Sequence, residues 1–116
     1  ETHNVIDRKI FSNMKKEAVI INIARGGVIK EKDLFDALKS NSIGGAIIDT
    51  WFNYPKTKKE KDLKPSKYNF HKLENVIMTP HISAWSIDMI TRRANLINKN
   101  IEKLFHNKKL INQIRY

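Results

Sequence analysis

The stretch Val19-Ile20-Ile21-Asn22-Ile23-Ala24-Arg25-Gly26-Gly27 decides the fold. Its first half is a nearly continuous apolar run, which is typical of a strand buried on both faces of a parallel sheet. Arg25 follows at the carboxyl end, where open α/β sheets bind ligands, and the two glycines let the backbone turn sharply beside the guanidinium. Arg25 is therefore either a ligand-binding residue or a solvated arginine that closes a strand, and both interpretations fit this stretch.

Two later segments repeat this pattern of an apolar strand that ends in a polar residue. Residues 46–51 are predicted to form a second buried strand with Asp49 toward its carboxyl end. Residues 76–80 are predicted to form a short third strand, which Pro80 terminates and His81 follows at once. Each of the three strands thus ends near a side chain that is suited to chemistry.

Helical patterns connect and follow these strands. Asp7 is placed to cap a first helix over residues 8–16. Glu31 and Asp33 favour the first turn of a second helix within residues 28–40, and Lys30 stands where a capping Asp or Ser would be expected. Apolar residues at steps of three and four predict a long amphipathic helix over residues 86–106. Residues 52–73 show no period and contain prolines, which predicts a long surface loop. This order of elements indicates a parallel sheet with helices on its faces.

The carboxyl ends of parallel strands meet at one edge of a sheet, so we expect Arg25, Asp49 and His81 to lie in one crevice. Arginine can clamp a carboxylate with two hydrogen bonds, and histidine can pass a proton near neutral pH. Reduction of a carbonyl next to a carboxylate requires such a pair, because the developing alkoxide must be both stabilised and protonated. Taken alone, His81 is also open to interpretation as an ordinary loop histidine.

Charge and composition limit the class of protein. The formal net charge of +10 raises the question of nucleic-acid binding, but the run Lys58-Lys59-Glu60-Lys61-Asp62 alternates in sign and favours a solvated loop. The chain has no cysteine, which excludes disulfides and cysteine-ligated metals, and no metal site is predicted. No apolar run is long enough to cross a bilayer and no signal-peptide pattern opens the chain, so the cytoplasm is the expected compartment.

Three motifs occur in order along the chain. They are Ile21-Asn22-Ile23-Ala24-Arg25-Gly26-Gly27, Gly45-Ala46-Ile47-Ile48-Asp49-Thr50-Trp51 and Thr79-Pro80-His81-Ile82-Ser83. Together they resemble the carboxy-terminal signatures of the D-isomer-specific 2-hydroxyacid dehydrogenases, a family that includes phosphoglycerate, D-lactate, glyoxylate/hydroxypyruvate and formate dehydrogenases. The resemblance covers essentially the whole chain. It implies the carboxy-terminal half of a Rossmann-type, doubly wound parallel sheet, with three parallel strands and flanking helices.

The resemblance also implies catalytic roles. Arg25 would bind the substrate carboxylate and carbonyl, and His81 would be the acid/base that protonates the carbonyl oxygen during hydride transfer. The family usually pairs this histidine with a glutamate that precedes a proline after the second strand, but here Tyr54 stands in that position, before Pro55. Formate dehydrogenases also lack the glutamate, so the motifs do not select a substrate.

Further residues would hold the cofactor, which the resemblance implies is NAD or NADP. The Ala24 backbone and Asp49 would bind the nicotinamide carboxamide, with Ser83 nearby. Trp85 would border the substrate pocket, although an aromatic residue at a helix start is also consistent with simple packing.

The domain organisation follows from the same resemblance. Residues 1–105 are expected to form the carboxy-terminal half of an NAD(P)-binding domain, and residues 106–116 a tail that returns toward a substrate domain. The chain opens with Glu1 and lacks the Gly-rich turn that binds a pyrophosphate, so we expect it to be a fragment whose amino-terminal part is missing.

Three functional hypotheses remain at this point. In the first, the intact enzyme is a homodimer that transfers a hydride between NAD(P) and a small 2-hydroxy or 2-oxo acid, and this fragment alone is inactive. In the second, the chain is a catalytically inactive binding or scaffolding module of the same fold. In the third, which we rank lowest, it is a basic nucleic-acid-binding domain. No membrane or nucleic-acid partner is expected under the first hypothesis.

Overall fold

The computed structural model describes residues 2–114 and divides the chain into two compact units, Glu1–Ser83 and Ala84–Tyr116. Glu1, Arg115 and Tyr116 lie outside the described residues, and so do the parts of the two predicted domains that include them. The two units are described separately below.

The first unit is built on a three-stranded parallel sheet, as predicted. Its strands are β1 (Val19–Asn22), β2 (Gly45–Ile48) and β3 (Val76–Met78), in the order β1-β2-β3. Ile21 pairs with Ile47, and Ile47 pairs with Ile77, so the strands are in register and end at the same edge. Each strand is shorter than predicted. After β1 the Asn22 side chain bonds to the Ala24 N–H and the Arg25 carbonyl, and after β2 and β3 the side chains of Asp49 and Thr79 bond to each other.

Two helices connect to this sheet. Helix α1 (Arg8–Ser12) begins where Asp7 accepts hydrogen bonds from the N–H groups of Lys9 and Ile10, as predicted. The predicted end at residue 16 was wrong. Asn13 closes the helix, because its side-chain amide donates to the Lys9 carbonyl and its backbone conformation leads into a turn.

Helix α2 (Glu31–Lys39) lies within the predicted segment 28–40 and begins directly after Lys30. The segment Gly26–Val28 forms a separate 3₁₀ turn, and Lys30 occupies the capping position without a side-chain capping bond. Asp33, in the first turn of α2, has a buried carboxylate that accepts the backbone N–H of Arg8 and pairs with Lys30. The first turn of α2 therefore also anchors the start of α1.

The core lies on one face of the sheet only. It consists of apolar residues from both helices, the inward face of β2 and three connecting segments: Phe11, Ile29, Leu34, Ala37, Leu38, Ile43, Ala46, Ile48, Trp51 and Phe70. The prediction that β1 is buried on both faces was wrong for this chain, because Val19 is 54% exposed and Ile21 60% exposed. Side chains of a strand alternate between faces, and the described helices of this unit pack on just one of them.

The predicted surface loop over residues 52–73 was wrong in part. Phe70 is fully buried in a short 3₁₀ turn, Phe70–Lys72, and packs against the rings of Phe35 and Trp51. Upstream, the hydroxyl of buried Ser66 donates to the Glu31 carboxylate at 2.7 Å. A single core aromatic in an aperiodic segment leaves no repeating signal, which is why sequence pattern alone does not reveal it.

The second unit contains the predicted long helix, α3 (Met89–Phe105). Its bounds fall within the predicted 86–106, and none of its residues is buried. The tail folds back within this unit, since the Asn100 side chain accepts the N–H of Ile111 at 2.8 Å. The predicted domain boundary at residues 105 and 106 stays a prediction. No helix within residues 2–114 has the length and apolar character needed to cross a membrane.

Candidate functional site

The candidate site lies at the carboxyl edge of the sheet, where each strand passes into a polar turn. Parallel pairing continues past the strand ends: the Asp49 N–H donates to the Asn22 carbonyl and the Thr79 N–H donates to the Ile48 carbonyl, both at 3.0 Å. The turns that carry the candidate residues therefore start side by side. Within residues 2–114 no cluster of three or more His, Cys, Asp or Glu side chains is arranged to hold a metal ion.

Asp49 is the most enclosed residue of the site, with 1% of its surface exposed. Its Oδ1 accepts the Thr79 hydroxyl at 2.6 Å and the Ile82 N–H at 2.8 Å, and its Oδ2 accepts the Ser83 N–H at 3.0 Å. Burial by itself raises the pKa of the Asp49 carboxyl. Hydrogen bonds from Ser83, Thr79 and Ile82 outweigh burial and hold that pKa well below its usual range.

His81 lies in the chain between Thr79 and Ile82, which are both hydrogen-bonded to Asp49. His81 has a φ of 60°, in the left-handed region that residues other than glycine seldom adopt. Such a conformation costs about 1 kcal/mol or more and persists where the surroundings over-determine it. Asp49 provides that constraint, because it holds the Thr79 hydroxyl before His81 and the Ile82 N–H after it, while the imidazole stays exposed.

Tyr54 meets His81 directly. Its hydroxyl lies 3.0 Å from His81 Nδ1, and the two ring centroids are 5.6 Å apart. The same hydroxyl accepts the backbone N–H of Trp51 at 2.9 Å. Trp51 is in turn buried, and its indole N–H donates to the Thr79 carbonyl at 3.0 Å. The phenol that stands in the predicted position of a glutamate is therefore held against the imidazole.

Arg25 occupies an exposed turn after β1. Its guanidinium Nη1 donates to the Ala24 carbonyl at 2.7 Å, and its backbone is extended. Ala24 is exposed as well. Hydrogen bonds within the described residues link neither Arg25 nor Ala24 to His81, so the structure brings Tyr54, His81, Asp49 and Ser83 together and leaves Arg25 on the neighbouring turn.

Asn22 is a residue of this turn that sequence reasoning missed. It is 5% exposed, its side-chain amide donates to the Arg25 carbonyl at 3.0 Å, and its Oδ1 accepts the Ala24 N–H at 3.2 Å. The carboxamide thus shapes the loop that presents Arg25. The available signal was a polar residue inside an otherwise apolar run, since a buried polar side chain requires partners.

Gly26 explains why a glycine follows Arg25. A Cβ at this position would lie 2.1 Å from the Trp51 carbonyl oxygen and 2.4 Å from its carbon. The turn after β1 therefore packs directly on the backbone that follows β2. Gly26 and Gly27 were expected to provide conformational freedom for a sharp turn. That reason was wrong, because no described glycine has a positive φ.

Two further residues, Trp85 and Thr50, follow the candidate residues closely in the sequence. Trp85 belongs to the second unit and is 73% exposed, so its predicted place beside a substrate stays a prediction. Thr50 follows Asp49 and is fully buried, but its hydroxyl has no hydrogen-bond partner within the described residues.

Comparisons with known proteins identify the family and the fold. Residues 1–83 match the model of the D-isomer specific 2-hydroxyacid dehydrogenase, NAD binding domain. A glyoxylate reductase of Pyrococcus horikoshii is 37% identical over 101 residues, which is 87% of this chain and 28% of that protein. The chain spans about a third of the length of several curated relatives that it matches.

Solved structures show the same fold. Rhodotorula graminis D-mandelate dehydrogenase in its apo form aligns with a TM-score of 0.73 and 28% identity, over 99% of this chain and 31% of that one. A D-isomer specific 2-hydroxyacid dehydrogenase of Xanthobacter autotrophicus, solved with NADPH and MES, aligns with a TM-score of 0.72 and 25% identity. The latter alignment covers 98% of this chain and 43% of that one.

These findings confirm the predicted Rossmann-type sheet and the nicotinamide dinucleotide, NAD or NADP, as the cofactor of this type of domain. A match over residues 1–83 covers most of the 116 residues. The chain therefore belongs to the D-isomer specific 2-hydroxyacid dehydrogenase family, as part of its NAD-binding domain.

Proposed function

We propose that this chain supplies the substrate-facing edge of an oxidoreductase that transfers a hydride between NAD(P) and a small 2-hydroxy or 2-oxo acid. The observation that carries the proposal is the contact of 3.0 Å between the Tyr54 hydroxyl and Nδ1 of His81, on a turn that buried Asp49 fixes from both sides. An exposed imidazole held in an unfavourable backbone conformation is typical of a functional turn rather than of a structural one.

His81 is the proposed acid/base. Its Nδ1 is engaged with Tyr54, so Nε2 is the nitrogen left to face a substrate. In the reductive direction, Nε2 of the protonated ring gives its proton to the carbonyl oxygen, and in the oxidative direction it takes the proton back from the hydroxyl. When bound, NAD(P)H supplies the hydride that reaches the carbonyl carbon.

Arg25 is the proposed carboxylate-binding residue. Its guanidinium is exposed, and the hydrogen bond from its Nη1 to the adjacent Ala24 carbonyl orients the group while leaving its other N–H donors available. A planar guanidinium can hold a carboxylate at two points, which fixes the orientation of the neighbouring carbonyl. The net charge of +10 favours the approach of an anionic acid.

Ala24, Asp49 and Ser83 are the proposed contacts of the nicotinamide carboxamide. The chemistry fits, since a carboxamide needs acceptors for its N–H groups, and the Ala24 carbonyl, which accepts one hydrogen bond from Arg25, has a second lone pair. The Asp49 carboxylate accepts three hydrogen bonds from the chain, and a carboxylate can accept about four. Trp85 is the proposed border of the substrate pocket.

The rest of the enzyme belongs to the same proposal. Because the chain spans about a third of its relatives, the pyrophosphate-binding turn and the substrate domain would come from an amino-terminal part of the same protein. We further propose a cytoplasmic homodimer, in which residues 106–116 return toward the substrate domain.

Arg25→Lys tests the proposal in a polypeptide that joins this chain to the remainder of the enzyme. A point-charge ammonium cannot reproduce the two-point grip, so kcat/KM for 2-oxo acids should fall by about thirtyfold, or about 2 kcal/mol. Glyoxylate and hydroxypyruvate are suitable probes, with oxidation of NADH and NADPH as the readout. Arg8→Lys, on exposed helix α1, is the matched control and should leave the rate unchanged. Equal kcat/KM for the Arg25→Lys and wild-type enzymes would remove Arg25 from the site.

A further inference from the structure

The hydroxyl of Tyr54 has a second hydrogen-bond partner that defines what it can offer to His81. The Trp51 N–H donates to the phenolic oxygen at 2.9 Å, and Trp51 is 7% exposed, so this donor is fixed in place. The oxygen therefore already accepts one hydrogen bond when it approaches Nδ1 of His81 at 3.0 Å.

From this arrangement we propose that Tyr54 holds neutral His81 in the tautomer that carries its proton on Nε2. Tyr54 is then a positioning residue that, compared with a carboxylate in the same position, shifts binding toward a 2-oxo acid and away from a 2-hydroxy acid. The proposal rests on the proposed function for its substrate class, but the tautomer itself is a property of the chain alone.

The direction of the hydrogen bond follows from the chemistry of the two groups. A phenol has one O–H donor, and its lone pairs are weakened as acceptors because they delocalise into the ring. With one lone pair taken by Trp51, the hydroxyl serves best as a donor to Nδ1. Since a neutral imidazole carries a single N–H, an Nδ1 that accepts a hydrogen bond places the proton on Nε2.

A carboxylate in the same position would have the opposite effect. It has no hydrogen to donate and would accept a hydrogen bond from Nδ1–H, so the neutral ring would present a bare Nε2. The tyrosine therefore changes which nitrogen of the neutral ring carries the proton, without changing the position of the ring.

This difference matters for the substrate. With its proton on Nε2, neutral His81 donates a hydrogen bond to a carbonyl oxygen, which has lone pairs and no hydrogen. The same nitrogen cannot accept the hydroxyl proton of a 2-hydroxy acid until its own proton has left. A hydroxyl oxygen can also accept the Nε2–H hydrogen bond, but a bare Nε2 would accept the hydroxyl proton and give nothing to a carbonyl. Compared with a carboxylate, the Tyr54 contact thus shifts binding toward the oxo acid while the ring is neutral.

The tautomer can be read directly from the ¹⁵N spectrum of the uniformly labelled chain, through couplings between the ring nitrogens and carbon-bound ring protons. The spectrum is recorded at alkaline pH, where imidazoles are neutral. The chain has four histidines, and loss of one ring signal in His81→Asn assigns His81, with asparagine chosen because it tolerates the left-handed backbone. In wild type, Nδ1 of His81 should show the shift of an unprotonated nitrogen and Nε2 that of a protonated one.

Two variants test the cause. Tyr54→Phe should lower the ratio of the Nε2–H to the Nδ1–H tautomer about fivefold, the factor that corresponds to one ordinary hydrogen bond. Tyr54→Glu should reverse the preference and protonate Nδ1. Tyr54 is 45% exposed, so both side chains can be accommodated, and the backbone amide spectrum checks that the fold is retained.

The outcomes separate this inference from the proposed function. A protonated Nδ1 in the wild type, or an unchanged tautomer ratio in Tyr54→Phe, would overturn the inference. Neither result bears on the role of Arg25, which the kinetics of Arg25→Lys decide independently. In the joined enzyme, Tyr54→Glu should weaken binding of a 2-oxo acid relative to a 2-hydroxy acid, and no change in that ratio would overturn the substrate preference.

Discussion

The turns after β1 and β3 are both shaped by a buried polar side chain, but the two side chains act over different distances along the chain. Asn22 bonds to Ala24 and Arg25, two and three residues ahead. Asp49 bonds to Thr79, Ile82 and Ser83, thirty or more residues ahead. The Arg25 turn is therefore largely a local structure, whereas the His81 turn can form only after β2 and β3 have paired.

A second difference is charge. Asn22 is a neutral carboxamide that donates and accepts, while Asp49 is a carboxylate that only accepts, and hydrogen bonds to a charged group are roughly twice as strong. The turn that carries His81 is thus held by hydrogen bonds to a charged side chain that is distant in the sequence. The turn that carries Arg25 is held by hydrogen bonds to a neutral side chain that is close in the sequence. The four predictions below test that contrast.

Gly26→Ala should have the largest effect, because it disrupts the close packing of the turn after β1 on the backbone that follows β2. The new methyl group would lie 2.1 Å from the Trp51 carbonyl oxygen, and the atoms it meets are backbone. Overpacking against backbone should lower the free energy of unfolding by about 3 kcal/mol or more, measured by urea denaturation of the chain. Gly27→Ala is the control, since its methyl would meet the movable His3 side chain at 3.0 Å and should cost less. Equal losses for the two variants would contradict the close approach.

Asp49→Asn should have the next largest effect, because an amide group cannot accept all three hydrogen bonds that the carboxylate accepts. The pKa of Asp49 is lowered in the folded chain, so the ionised carboxylate stabilises the fold above the pKa of an unfolded aspartate, about 3.9. That stabilisation is lost as the pH falls toward the folded-state pKa. The wild type should therefore exceed Asp49→Asn in thermal midpoint at neutral pH, and the difference should shrink in acid.

Asp36→Asn is the matched control for this pH series. The Asp36 carboxylate pairs with Arg8 and Lys32 at a partly exposed surface, so its removal should change the midpoint little. A pH-independent difference between wild type and Asp49→Asn would show that the charge of Asp49 is not what holds the His81 turn.

Asn22→Ala should have a smaller effect, confined to one turn. It leaves the Ala24 N–H and the Arg25 carbonyl without their side-chain partner and should cost about 1–2 kcal/mol in unfolding free energy. Chemical-shift changes should be concentrated in residues 22–26 and leave His81 unperturbed. Shifts of similar size at His81 would show that the two turns are coupled more strongly than their hydrogen bonds indicate.

Thr50→Val should have the smallest effect and the opposite sign. The buried Thr50 hydroxyl has no partner among the described residues, so its replacement by a methyl group should stabilise the fold by up to about 1 kcal/mol. Thr79→Val is the matched comparison, because it removes a hydroxyl that donates to Asp49 at 2.6 Å and should destabilise. Destabilisation by both substitutions would mean that the Thr50 hydroxyl has a partner after all.

Much of the fold could be predicted from the sequence because its signals are periodic or local. The apolar runs marked all three strands, and the Asp7 cap marked the start of α1. The misjudged features depended on distant contacts. The uncovered face of β1 depends on where the helices pack, and the burial of Phe70 depends on contacts with Phe35 and Trp51.

The candidate site also combines residues that the sequence indicates with hydrogen bonds that only the structure shows. Arg25, Asp49 and His81 were identified because parallel strands end at one edge. Tyr54 was singled out only because the family resemblance implies a glutamate before Pro55. The bonds that give these residues their geometry were not visible in the sequence. They include the Asn22 carboxamide in the Arg25 turn, the three bonds to Asp49 and the Trp51 N–H on Tyr54.

By itself, the sequence determined that this chain forms a parallel sheet with a cation, a carboxylate and an imidazole after successive strands. Hydrophobic period and strand-end chemistry are encoded within a few residues, so they survive without tertiary information. Only the tertiary structure decided that buried Asp49 holds the His81 turn by hydrogen bonds. It also decided that His81 adopts a left-handed backbone conformation and that the Tyr54 hydroxyl faces Nδ1 of His81. Each of these depends on groups about thirty residues apart, and such groups meet only when the strands pair.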